Sequence, residues 1–236
     1  MMGAIIMKKS KLKEYSYTFI LLGVLLVVIF IMAIMSPYFF TWKNCRNILN
    51  QSAIYLVLSI GMTFVICAGQ IDLSVGAIIG FSGVCMGLLL NQGVSPIWAI
   101  LIELLIGVIV GIVNGIFVAY GKINSFIVTL GMMTILRGIT LILTNSSSVF
   151  GFGNIITFIG SGKIGPVNMP IILSLVIATM GGVLLHRTTF GNYCLFIGTN
   201  EIALNRSGVN VKKYKIIIFA LCGLCASVAG LIITAR

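Results

Sequence analysis

Acidic side chains are nearly missing from this chain: there are four Asp and Glu in 236 residues, beside a single histidine. Charged residues of both signs make up only 8% of the sequence, where a water-soluble domain carries about 25%. Folding in water would leave too few polar side chains to cover a surface. With one histidine and no clustered carboxylates, zinc sites and intramembrane protease dyads lack their ligands and partners. No catalytic residue, metal ligand or cofactor is therefore assigned. The six cysteines, at 45, 67, 85, 194, 222 and 225, lie mostly inside apolar runs and form no secreted disulfide framework. The CxxC of "ALCGLCAS" (Cys222, Cys225) reads as small packing residues. A cleavable signal peptide is also lacking, because the first apolar run is too long and has no small-residue cleavage site; it reads as an anchor. The opening "MMGAII" before Met7 is compatible with an over-extended start.

What the chain has is hydrocarbon. Residues of the apolar class make up 59%, the mean hydropathy is +1.19, and continuous apolar runs of about 20 residues recur. The fold class is all-α, a polytopic helical membrane protein. Seven spans are expected, at 16–36, 48–69, 73–91, 97–119, 125–144, 170–186 and 216–235. The connection at 69–73 is so short that spans two and three read as a tight hairpin or a broken helix.

The net charge of +11 would ordinarily suggest nucleic acid, but the basic residues sit in short tracts beside apolar runs, as membrane orientation requires. With the N-terminal "KKSKLKE" in the cytoplasm, alternation puts Lys8, Lys9, Lys11, Lys13, Lys122, Arg187, Arg206, Lys212, Lys213 and Lys215 inside. Only Lys43, Arg46 and Lys163 fall outside. Ten against three supports an inside N-terminus, a multi-pass chain in the cytoplasmic membrane, and no nucleic-acid partner.

Three features could carry function. The first is Asp72, in "GQIDLSVG", a carboxylate between two spans. Such a charge faces a cavity, a partner or the interface. Either Asp72 caps a helix starting at Leu73, with Gly69 and Gly76 permitting a sharp turn, or it takes part in substrate passage. The second is Glu103 with Arg137, each about seven residues from the outer end of its span. Equal depth permits an ion pair; the alternative is that each snorkels separately. The third is "GTNEIALNRSGVNVKKYK", on the inner side. Asn200 can cap a short helix from Glu201 to Ser207, and Gly208 can close it in a left-handed conformation. Its shape suits docking of a soluble partner, although a plain surface helix has the same shape. The loop at 145–169 reads as a surface loop with a short interfacial helix, and Gly107, Gly111 and Gly115 form a small-residue ridge for close helix packing.

"GMTFVICAGQIDLSVG" (61–76), "INSFIVTLGMMTILRG" (123–138), "GTNEIALNRSGVNVKKYK" (198–215) and "SPYFFTWKNCRNIL" (36–49), in this order, resemble the permease subunits of ribose-type ABC sugar importers. The resemblance runs from about residue 17 to the end. It implies a fold similar to the first seven spans of the vitamin B12-type importer permease. It also implies a permease domain over 1–236, with 187–215 as a cytoplasmic coupling loop. The partners it implies are an ABC ATPase subunit, an extracytoplasmic sugar-binding protein, a second permease subunit and membrane lipid. By the same resemblance Gly69, Asp72, Leu73, Ser74 and Gly76 carry a signature turn, and Gly198, Asn200, Glu201, Ala203, Ser207 and Gly208 form the ATPase-docking segment. The function implied is import of a ribose-like monosaccharide. Gln70 stands where the family commonly has glycine. The family ordinarily continues through about three further spans beyond "GLIITAR", so a truncated remnant or assembly partner is an alternative. An ion-coupled secondary transporter is another, thinly supported by Asp72 and Glu103 alone.

Overall fold

A computed structural model describes residues 2–151 and 153–236; Met1 of the "MMGAII" opening lies outside them. The helices are α1 (Met2–Met35), α2 (Trp42–Cys67), α3 (Val75–Asn91), α4 (Pro96–Ala119), α5 (Ser125–Thr144), α6 (Asn154–Ser161), α7 (Met169–Arg187), α8 (Thr189–Arg206) and α9 (Val211–Thr234). Strands β1 (Lys163–Ile164) and β2 (Val167–Asn168) pair antiparallel. The chain divides into two compact units, 1–49 and 50–236, with the division falling inside α2.

Among the described residues, six helices are long and apolar enough to cross a membrane: Thr18–Met35 within α1, then α2, α4, α5, α7 and α9. The expected third span, 73–91, holds a shorter helix than the others. α3 has 17 residues, about 25 Å by helical rise, and falls short of the roughly 30 Å hydrocarbon core. The missing length is the non-helical stretch 68–74 that leads into it.

In the first unit, α1 presents large apolar side chains such as Phe19, Ile34 and Met35 outward. A continuous exposed apolar surface of this kind is at home only in lipid. The turn after it is closed by Thr41, whose Oγ1 accepts from the Asn44 amide at 3.3 Å and donates to the Tyr38 carbonyl at 2.7 Å, fixing the start of α2.

In the second unit α9 is the central helix, and α3 and α4 pack along it. The ridge Gly107, Gly111, Gly115 lies against α9. A Cβ on Gly111 would stand 2.8 Å from Ala220 Cα, and one on Gly115 would stand 2.7 Å from Ile216 Cα. This is close backbone packing of the small-residue kind, which substitutes for the absent hydrophobic drive between helices in lipid. The 50–67 part of α2 meets α9 from another side. Val57 shares a buried cluster with Ala229 and Ile232, and Phe64 shares one with Ile218 and Cys222. A Cβ on Gly61 would stand 2.8 Å from Cys225 Cβ, so the CxxC residues pack as small apolar groups, and all six cysteines are free thiols.

The 145–169 region carries α6 and the β1–β2 hairpin, turned by Gly165 at φ +60. Ile156 of α6 is buried with Leu231 and Ala235 at the far end of α9. The segment 187–215 differs from the expected loop with one short helix. Its first part is already helical as α8, because Cys194 and Ile197 are buried and Phe190 and Tyr193 pack on Tyr214, with ring centroids 6.0 and 4.9 Å apart.

Candidate functional site

α2 ends in a Schellman motif. The amide of Gln70 donates to the Val65 carbonyl at 3.0 Å, and that of Gly69 donates to Ile66 at 2.9 Å, with Gly69 at φ +70. Gly69 is the residue that needs a left-handed backbone. Gln70 follows it without disturbing the motif. From there to Ser74 the backbone has no helical partners, and side chains from other elements supply them. The Ile71 amide donates to Ser125 Oγ at 3.2 Å, and the Leu73 amide donates to Thr129 Oγ1 at 3.1 Å.

Asp72 is 1% exposed. Its Oδ1 accepts from the Ser74 amide at 2.8 Å and from Ser74 Oγ at 2.6 Å. Ser74 Oγ in turn accepts from Asn114 Nδ2 of α4 at 2.9 Å. The expectation that Asp72 caps a helix starting at Leu73 is therefore corrected. α3 begins at Val75 with Ser74 as its N-cap residue, and Asp72 closes a local turn one step earlier. The expected turn role of Gly76 is also corrected: it is inside α3, with open space where a Cβ would stand. The sequence reading missed Asn114, Ser125 and Thr129. Each is polar in an otherwise apolar span, and that was the available signal.

Glu103 and Arg137 do not pair. Glu103 is fully buried beside Ser82 and Gly230, where a Cβ on Gly230 would stand 3.1 Å from Oε1; neither carboxylate oxygen has a hydrogen-bond partner among the described residues. Arg137 lies exposed on α5. Glu103 is turned into the bundle and Arg137 out of it.

The segment 198–208 has the local geometry its residues imply. Asn200 leaves the helical region (φ −154, ψ 80) and breaks α8 there; its Oδ1 accepts from the Ala203 amide at 3.0 Å. Gly208 ends the following turn at φ +85. Glu201, in the first turn after the break, pairs with Lys215 of α9 at 2.7 Å. Ser207 Oγ donates to the Ala203 carbonyl at 3.0 Å.

The two motifs, far apart in sequence, touch. A Cβ on Gly198 would strike the Cys67 carbonyl and stand 3.0 Å from the Gly69 amide. The cap of α2 therefore rests directly on the helix that leads into Asn200 and Glu201. Around this contact, Gly69, Gln70, Lys122, Asn124, Glu201, Lys212 and Lys215 line a cavity of about 550 Å³ at one end of the second unit.

Bundled apolar helices around a buried polar connection, with a capped polar segment at one end, are the architecture of a polytopic helical membrane protein. The chain belongs to the family described as "Branched-chain amino acid transport system / permease component", matched over residues 44–236. It is 39% identical over 216 residues to the ribose import permease protein of Escherichia coli (strain K12), covering 90% of this chain and 67% of that protein. It is 38% identical to the ribose import permease protein of Bacillus subtilis (strain 168), covering 90% and 66%. To the D-allose transport system permease protein of Escherichia coli (strain K12) it is 36% identical, covering 90% and 66%. The chain thus spans about two thirds of the length of these relatives. No solved structure matches it.

Proposed function

We propose that this chain is a permease subunit of a binding-protein-dependent ABC importer for a ribose-like monosaccharide. In this reading residues 198–208 dock a separate ATPase subunit, a second permease subunit completes the path, and an extracytoplasmic protein delivers the sugar. The sugar class rests on the ribose and allose permeases to which the chain is similar. The observation that carries the mechanism is the contact of Gly198 with the Cys67–Gly69 cap.

A push on the docking segment reaches two structures at once. Through Glu201 and Lys215 it pulls on the N-terminal end of α9. Through Gly198 it moves the cap of α2, and behind that cap the stretch 71–74, which is bound to α4 and α5 by side-chain hydrogen bonds. Non-helical backbone buried among helices is where such a bundle can shift without exposing unpaired groups to lipid. Motion of the ATPase would thereby alter how α3, α4 and α5 meet.

The test uses the chain beside its ATPase and binding protein in an uptake-deficient bacterium. Glu201→Lys is expected to leave membrane insertion intact while ATPase co-purification and sugar uptake fall together. Unchanged co-purification and unchanged uptake would overturn the docking assignment.

A further inference from the structure

Three lysines line the cavity beside segment 198–208: Lys122 from the α4–α5 turn, and Lys212 and Lys215 near the N-terminus of α9. Against them stands one carboxylate, Glu201. The lysines are held in place. Lys212 sits over the Tyr120 ring, 4.8 Å from its centroid, and Lys215, with its side chain 11% exposed, is tied to Glu201. Lys122 occupies a left-handed backbone conformation at φ 53, which a non-glycine residue seldom adopts. Lys212 and Lys215 are three residues apart and share a helix face. Lys212 lies in the first turn of α9, which contains no acidic residue, and Lys215 begins the next turn. That is the positive end of the helix dipole, where cations are disfavoured and an anion is favoured. Asn124 adds a polar group: its Oδ1 accepts from the Phe126 amide, leaving its amide nitrogen to donate. Orienting a membrane protein calls for lysines near this end, but it does not call for three of them to line one cavity.

We propose that this cavity binds a phosphate-bearing anion, as a free phosphate ester or as the headgroup of an acidic phospholipid. Its volume, about 550 Å³, accommodates either. A phosphate here competes with Glu201 for Lys215 and so loosens the tie between α9 and the segment 200–208. That regulatory consequence rests on the docking reading above; the binding itself does not.

The experiment uses the chain in phosphatidylcholine nanodiscs, with radiolabelled inorganic phosphate in equilibrium dialysis at low salt. Saturable binding is expected, and Lys122→Asn, which suits the left-handed backbone, and Lys212→Gln should each weaken it about fivefold or more. Lys213→Gln, one residue away but not lining the cavity, should leave it unchanged. A second arm uses phosphatidylglycerol-containing discs and native mass spectrometry. Retained lipid that is lost in the same two variants, together with weakened phosphate binding, assigns the site to a headgroup. If the unsubstituted chain binds phosphate as well in phosphatidylglycerol discs as in phosphatidylcholine discs, and retains no lysine-dependent lipid, the site is assigned to a soluble ester. The proposal is overturned if neither probe binds in a manner dependent on Lys122 and Lys212, or if Lys213→Gln matches Lys212→Gln. ATPase co-purification of the lysine variants is scored separately, so failure of the docking reading would be recognised as such.

Discussion

At the scale of single residues, Asp72→Ala leaves both the amide and the hydroxyl of Ser74 without their acceptor. Hydrogen bonds to a charged group contribute about 1.5–3 kcal/mol each, and buried donors left unmade cost about as much. Loss of about 2–4 kcal/mol is expected in a detergent unfolding titration, whereas Asp72→Asn, which keeps one oxygen acceptor, should lose no more than about 1–2 kcal/mol. Equal losses for the two would show that the carboxylate's bonds to Ser74 are not what holds the turn. Thr129→Val removes the acceptor of the Leu73 amide and is expected to cost about 1–2 kcal/mol in the same assay. That Asp72 mattered was legible, because a carboxylate between two apolar runs needs a partner. Which partner was not legible: Asn114 lies 40 residues from Ser74, and Thr129 lies 56 residues from Leu73. Glu103 and Arg137 show the converse. Depth within a span can be counted along a sequence, but the face each residue turns toward a neighbour depends on how the helices are rotated.

At the scale of elements, glycines with and without neighbours make opposing predictions. Gly111→Val forces a branched side chain into the backbone of Phe219 and Ala220 on α9. It should destabilise by about 1–3 kcal/mol or separate the helices. Gly76→Ala meets nothing within 4 Å inside α3, and helix propensity should make it stabilising by up to about 1 kcal/mol. Thermal midpoints in detergent would distinguish them, and a matching loss for Gly76→Ala would contradict the packing described. The ridge at 107, 111 and 115 was readable from spacing alone, and its partner α9 was not. The short capped helix after Asn200 was also readable, since capping is local chemistry within four residues. α8 ahead of it was not, because its helix is held by burial of Cys194 and Ile197 and by ring contacts to Tyr214, all of which require α9 to be in place. For the same reason α3 began two residues late: side chains of α5 and Asp72, rather than a helix, satisfy the amides of Ile71, Leu73 and Ser74.

For the molecule as a whole, composition alone identified lipid as the surroundings, and the alternation of spans placed 69–72, 120–124 and 186–215 on one side. The cavity lined by Gly69, Lys122, Glu201 and Lys215 gathers those segments at one end of the second unit, while Ile156 of α6 packs with Leu231 and Ala235 at the other end of α9. The importer reading needs the first of these ends to face the compartment that holds ATP. The most direct measurement is labelling of single cysteines in intact cells with a membrane-impermeant maleimide, in a background where all six native cysteines are replaced by alanine or serine. Ile202→Cys, exposed in the docking segment, should react only after the cells are permeabilised, while Ser146→Cys, exposed beyond α5, should react without it. Labelling of Ile202→Cys from outside intact cells would place the docking segment on the wrong side of the membrane and contradict the account.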